Sequence, residues 1–193
     1  MLRWILIALV AASRLWAADP FLELHQSLDR QADETLARSQ FSRPAVVPEP
    51  VPVSPGLAQI LIQEGAPTEL LGVVHVESRF NPWALSPKGA RGLWQLLPET
   101  ARRFGLRVDT RSDERVDPER STRAASRYLR SLHGLFGDWE LALAAYNAGE
   151  NRVMRAIERG RTRDFYELSR RRLLPEETRR YVPAVLAEGF RPI

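Results

Sequence analysis

A carboxylate stands near the end of an apolar stretch, Val73-Val74-His75-Val76-Glu77-Ser78-Arg79-Phe80-Asn81-Pro82. Burial of Glu77 against Val73, Val74 and Phe80 would disfavour its charged form and raise its pKa, which suits a general acid. Taken alone the pattern is weak, because a glutamate among valines more often marks the solvated face of a helix. His75, two residues earlier, falls on a different helix face and reads as a packing residue.

Three further stretches combine the residue types a binding cleft uses. Gly89-Ala90-Arg91-Gly92-Leu93-Trp94-Gln95 sets two glycines before an aromatic and an amide, a shape that lets backbone approach a ligand closely. Ala145-Tyr146-Asn147-Ala148-Gly149 ends an apolar helix with a polar pair and a glycine at the C-terminal cap. Leu174-Pro175-Glu176-Glu177-Thr178-Arg179-Arg180-Tyr181-Val182-Pro183 puts Glu177 and Tyr181 four apart, on one helix face. Each also has an ordinary reading: a flexible loop, a capped helix end and an amphipathic helix.

The elements that must position these residues are helical. Pro67, Pro98, Pro118 and Pro175 are each followed within two residues by an acid. Proline suits the first helical position, where its missing N–H had no partner, and the acid complements the positive helix end. Ala125, Tyr128, Leu129, Leu132, Leu135 and Phe136 form one apolar stripe. Residues 139–146 are apolar nearly all round, as in a helix buried within a domain. Thr178, Tyr181, Val182, Val185 and Leu186 form a last stripe, with a kink expected at Pro183. No alternating strand pattern appears, so the expected class is all-α.

The chain ahead of this region reads as three segments. Residues 1–18 carry Arg3, an apolar run from Trp4 to Ala12 and a small-residue end, the form of a secretory signal. Residues 19–42 place Phe21, Leu24, Leu28, Ala32 and Leu36 at helical spacing, a helical arm. Residues 43–56 hold Pro44, Pro48, Pro50, Pro52 and Pro55, an extended linker. Residues 57–193 are left as one domain, long enough for a core with a cleft.

Composition narrows the chemistry. The 193 residues include no cysteine, which removes a thiol nucleophile, a disulfide framework, a Cys-based metal site and a lipidated cysteine. His25, His75 and His133 lack ligand spacing, so a His-built metal site is not expected. The formal net charge is +4, and Lys88 is the only lysine among 28 basic residues. Clusters such as Arg170-Arg171-Arg172 lack the interleaved aromatics of nucleic-acid recognition, and no nucleic-acid partner is expected.

In order and separation, the four stretches resemble the catalytic domain of the soluble lytic transglycosylase family, which is related to goose-type lysozyme. The resemblance runs from about residue 57 to 189. The Trp94 variant of the second stretch, with the segment from Asp117-Pro118 to Gly149, is most similar to the family's membrane-bound branch. The end at Ile193 leaves no room for the C-terminal LysM repeats found there. What the resemblance implies is a lysozyme-like fold and cleavage of peptidoglycan between N-acetylmuramic acid and N-acetylglucosamine. Glu77 would be the catalytic acid and then base, acting on the sugar's own C6 hydroxyl to leave a 1,6-anhydromuramyl end, with no metal or cofactor. Ser78, Trp94, Gln95, Tyr146, Asn147, Glu177 and Tyr181 would be substrate-binding, with Tyr181 orienting the Glu77 carboxyl. Trp94 and Trp83 would offer flat faces to sugar rings, with core packing an equal reading for Trp83. The partners implied are peptidoglycan glycan strands, with a cell-wall or secretion assembly as a candidate for the arm. The location would be the periplasm, at the membrane if the leader stays uncleaved. A hydrolytic muramidase on the same fold and a catalytically idle wall-binding protein remain as alternatives.

Overall fold

The computed structural model describes residues 54–189, within the larger of two units into which the chain divides, Ser42–Ile193. The expectations for the signal, the arm and most of the linker lie outside the described residues. Eight α-helices follow among the described residues: α1 (Ser54–Gln63), α2 (Leu71–Ser78), α3 (Pro98–Arg103), α4 (Pro118–Phe136), α5 (Trp139–Ala148), α6 (Glu150–Gly160), α7 (Phe165–Arg170) and α8 (Glu176–Gly189). Isolated backbone bridges, Leu85 with Arg91, Arg91 with Leu96 and Val108 with Asp113, tie down the loops, and no sheet forms among these residues.

Local chemistry sets the helix starts. Pro98 and Pro118 take the first helical turn as expected, and the Asp117 carboxylate accepts from the Arg120 N–H at 2.9 Å. Pro175 precedes α8, and its carbonyl accepts the first helical bond from the Arg179 N–H at 3.0 Å. Pro67 instead opens a 3-10 turn over Thr68–Leu70 that leads into α2. Asp138 and Asp164 cap α5 and α7 by accepting from the N–H of Leu141 and Glu167, each at 2.8 Å.

α5 is the centre of the domain. Leu141, Ala142, Leu143, Ala144 and Ala145 are all buried, and α4, α6 and α8 pack around this helix. The α4 stripe is buried at Ala125, Tyr128, Leu129, Leu132 and Phe136. Leu135 departs from it and is 50% exposed, because it lies one step off the buried ridge near the helix end. α2 packs on α8 at very short range. A Cβ placed on Gly72 would stand 2.1 Å from the Val185 carbonyl oxygen, and one on Gly189 would stand 2.2 Å from that of Glu69. Glycine at both positions lets α8 lie almost backbone to backbone against α2 and the turn before it. That crossing brings the end of α2 to the start of α8.

Candidate active site

Glu77 is the penultimate residue of α2, half-buried, in a helix anchored by buried Leu71, Gly72, Val73 and Val74. The helix stops abruptly. Arg79 and Phe80 both take left-handed backbone conformations, with φ of 51° and 61°, and the Arg79 N–H donates to the His75 carbonyl at 3.0 Å. A left-handed residue other than glycine costs on the order of 1 kcal/mol, and two in succession mark a turn that its surroundings over-determine. The Asn81 N–H donates to the Ser78 carbonyl at 3.0 Å, and Asn81 Oδ1 accepts from the Trp83 N–H at 2.9 Å. Ser78 turns its hydroxyl back onto the Val74 carbonyl, at 3.0 Å.

Two helices close on the carboxyl. From α5 comes Tyr146, whose hydroxyl donates to the Trp94 carbonyl at 2.6 Å and whose ring lies 5.3 Å from that of Tyr128. Beside it, Asn147 bridges to α8: its Oδ1 accepts from the Thr178 hydroxyl at 2.7 Å, and its Nδ2 donates to Glu177 at 3.4 Å. From α8 come exposed Glu177 and buried Tyr181.

Burial raises the pKa of Glu77 to about 7, the Tyr181 hydroxyl pulls it down, and the negative charge of Glu177 adds to the rise. Tyr146 and Tyr181 are pushed well above the usual phenol range, first by burial and then by the neighbouring Glu77. Both phenols therefore remain protonated donors. The Tyr181 hydroxyl is close enough to influence Glu77, yet it makes no hydrogen bond of full geometry, a looseness that catalytic groups show before substrate arrives. The arrangement holds a carboxylic acid that keeps its proton near neutrality and can give it to a leaving oxygen.

The loop between α2 and α3 differs from its sequence reading. Trp94 is fully buried, and its indole N–H donates to the Thr122 hydroxyl at 2.9 Å, so it offers no face to a sugar. Trp83, by contrast, is 38% exposed. Gln95, at φ 47°, uses its amide nitrogen to hold the loop, donating to the carbonyls of Ala84 at 3.1 Å and Gly92 at 2.9 Å. Gly92 makes room for protein rather than ligand: a Cβ there would lie 1.9 Å from the Arg115 carbonyl oxygen. His75 does not pack inside. Its Nδ1 lies 3.2 Å from the Glu188 carboxylate at the surface.

Arg115 and Asp113 are the residues the sequence reading missed. The Arg115 side chain is wholly buried, pairs with Asp113 at 2.7 Å, and donates to the carbonyls of Gly89 at 2.8 Å and Leu96 at 3.0 Å. Arg91 reaches the same carboxylate at 3.4 Å. This fixes both ends of the loop that carries Trp94 and Gln95. Neither residue stands in a pattern that would reveal it, since the acceptors lie up to 26 positions away.

Elsewhere, a groove of about 700 Å³ lined by Ile62, Ala66, Arg130, His133 and Trp139 among others contains no carboxyl side chain and shares no residue with the Glu77 site. Among the described residues, no three His, Asp or Glu side chains are grouped to hold a metal ion.

Fold and site together are of the lysozyme-like type: an all-α domain with a half-buried carboxyl, Glu77, that keeps its proton near neutrality where helices converge. Residues 58–169 match the transglycosylase SLT domain, and the chain belongs to that family. It is 45% identical over 126 residues to membrane-bound lytic murein transglycosylase D of Escherichia coli K12, covering 63% of this chain and 27% of that protein. It is 39% identical over 127 residues to peptidoglycan transglycosylase gp16 of Escherichia phage T7, covering 63% of this chain and 9% of that one. Among solved structures, an inactive Glu-to-Gln mutant of the lytic transglycosylase Slt from Pseudomonas aeruginosa superimposes with a TM-score of 0.61 and 31% identity, covering 72% of this chain and 24% of that one. The chain thus spans about a quarter of the length of the Escherichia coli and Pseudomonas proteins.

Proposed function

We propose that this domain cleaves the glycan strand of peptidoglycan between N-acetylmuramic acid and N-acetylglucosamine, as a lytic transglycosylase. The observation that carries the reading is the half-buried Glu77 carboxyl, raised to a pKa of about 7 beside Tyr181. The names of the relatives agree with it, and a Glu-to-Gln change accompanies inactivity in the Pseudomonas protein.

Ordinary glycosidases use two carboxyls, one as acid and one as nucleophile or base. Here the muramyl C6 hydroxyl takes the second part. Protonated Glu77 gives its proton to the glycosidic oxygen as the bond from C1 breaks. The Glu77 carboxylate then takes the C6 hydroxyl proton as that oxygen bonds to C1. The acid is regenerated, no water is consumed, and a 1,6-anhydromuramyl end is left. Tyr146, Asn147, Glu177 and Tyr181 line the reacting carboxyl. Ser78 and Gln95 serve the muramyl residue through their remaining polar atoms, and Trp83 replaces Trp94 as the stacking face.

The same reading makes residues 1–18 an export signal, 19–42 an arm, 43–56 a linker and 57–193 the catalytic domain, acting in the periplasm. Among the described residues no helix is long and apolar enough to cross a membrane. Glu177, the second carboxyl beside Glu77, is the observation that would favour hydrolysis instead.

Mass spectrometry of soluble products from purified sacculi separates these readings, with wild type beside Glu77→Gln. Anhydro products lacking one water, with silence from the variant, are the expected result. Reducing ends would make the enzyme a hydrolase, and binding to sacculi without product would make it a wall-binding protein.

A further inference from the structure

A basic ridge runs along α6 and the segment that follows it to Arg172. Residues 150–172 contain eight arginines and four carboxylates, a net of +4, which equals the formal charge of the whole protein. Arg152, Arg155 and Arg159 recur at positions i, i+3 and i+7 of α6, one stripe about 10 Å long. The opposite face of α6, Val153, Ala156 and Gly160, is buried. The guanidinium of Arg171 donates to the Gly160 carbonyl at 2.7 Å, which draws the end of α7 onto the end of α6. Arg159 and Arg161 flank one end of that contact in sequence, and Arg170 and Arg172 flank the other.

Arg155, Arg159, Arg161, Arg170 and Arg172 are exposed, and none forms an ion pair among the described residues. Of the four carboxylates, Glu150 faces Arg103 at 3.8 Å and Glu167 faces Arg171 at 3.3 Å. Glu158 and Asp164 lie within the ridge and only partly offset it. The stripe begins beside the site, since α6 starts directly after Asn147-Ala148-Gly149, and Arg152 reaches back to the Ala148 carbonyl at 3.4 Å.

We propose that this ridge binds the acidic peptides carried by the glycan strand whose cleavage is proposed above, an inference that rests on that reading. Free carboxylates along such peptides match a row of guanidiniums, which take carboxylates in bidentate fashion. Because α6 follows directly on Asn147, the ridge starts next to the residues that face Glu77, within reach of a peptide leaving the muramyl residue. A membrane is the poorer fit, because the apolar face of α6 is inside the domain and Tyr166, 47% exposed, is the one large apolar side chain exposed between residues 150 and 172.

The test compares the full chain carrying Glu77→Gln, which leaves sacculi intact, with the same protein also carrying Gln at Arg155, Arg159, Arg161 and Arg172. Probes are peptide-bearing sacculi, sacculi stripped of peptide by an amidase, and vesicles containing phosphatidylglycerol. Binding to peptide-bearing sacculi is expected to weaken about tenfold with the four substitutions. It should weaken similarly when salt is raised from about 50 to about 300 mM, while binding to stripped glycan stays unchanged. Arg→Lys at the same four positions keeps the charge and loses only the bidentate geometry, so it should retain the salt dependence and bind more tightly than the Gln variant, which separates charge from misfolding. Equal binding of the parent to both kinds of sacculi overturns the inference, and so does a preference for the vesicles. Product release by the wild type, measured alongside, reports separately on the cleavage reading.

Discussion

Glu77 on α2 and Glu177 on α8 sit close enough that the charge of the second raises the pKa of the first, while Tyr181, one helical turn beyond Glu177, lowers it. Two residues of one helix thus push the same carboxyl in opposite directions. Asn147 holds Glu177 by a hydrogen bond and is itself held by Thr178, so α5 fixes the register of this pair.

The pH profile of cleavage should therefore move both ways. A general acid works only while protonated, so wild-type kcat/KM should fall as pH rises through about 7. Glu177→Gln removes a like charge and should move that falling limb to lower pH. Tyr181→Phe removes a hydrogen-bond donor to the carboxylate and should move it to higher pH. Profiles on one soluble glycan substrate check both, and shifts of the same sign would refute the opposition.

Stability should carry the same signature. Glu77 has an ordinary pKa of 4.5 when unfolded and about 7 when folded, so folding favours its protonated form. Its contribution is fully present below pH 4.5 and is lost as pH rises through 7. Glu77→Gln, which cannot ionise, should match wild type in acid and be the more stable protein at pH 8, by up to about 3 kcal/mol. Urea unfolding at pH 4.5 and at pH 8 gives the comparison.

The buried pair beneath the loop is expected to matter more than any surface ion pair. Asp113→Ala leaves the Arg115 guanidinium inside the protein with two carbonyls but no counter-charge. Breaking such a pair from one side costs on the order of 3–5 kcal/mol. Removing Glu176, whose partner Arg180 is mostly exposed, should change stability by less than about 1 kcal/mol. Chemical denaturation of both variants decides this.

Much of the site could be read along the chain because helices translate spacing into faces. Glu77 at a helix end, Tyr146 and Asn147 closing a buried helix, and Glu177 one turn before Tyr181 all followed from local pattern. Trp94 did not, because in an irregular loop no period says which way an indole turns, and the Thr122 hydroxyl that receives it is 28 residues away. Gly92 was legible as a close approach but not as an approach to the Arg115 carbonyl. The pairing of His75 with Glu188 likewise exists only because α8 returns to lie on α2.

That close crossing gives the last expectation, drawn from two helical glycines with opposite surroundings. Gly72 in α2 has the Val185 carbonyl oxygen 2.1 Å from where a Cβ would stand, and behind it the backbone nitrogen of Gly189 at 2.7 Å. Both obstacles are backbone, so Gly72→Ala must push α2 and α8 apart. Gly134 in α4 has nothing within 4 Å of the same position and ordinary helical backbone. Gly134→Ala should therefore stabilise the domain by about 0.4–1 kcal/mol, by reducing the freedom of the unfolded chain. Gly72→Ala should destabilise it by about 1–3 kcal/mol, as overpacking does. Because α2 carries Glu77 and α8 carries Tyr181 and Glu177, the same change should also disturb the pH profile, whereas Gly134→Ala should leave it as in wild type. Thermal melts and pH–rate curves of the two variants test the claim, and a Gly72→Ala protein with native stability would show that the helices do not touch as described.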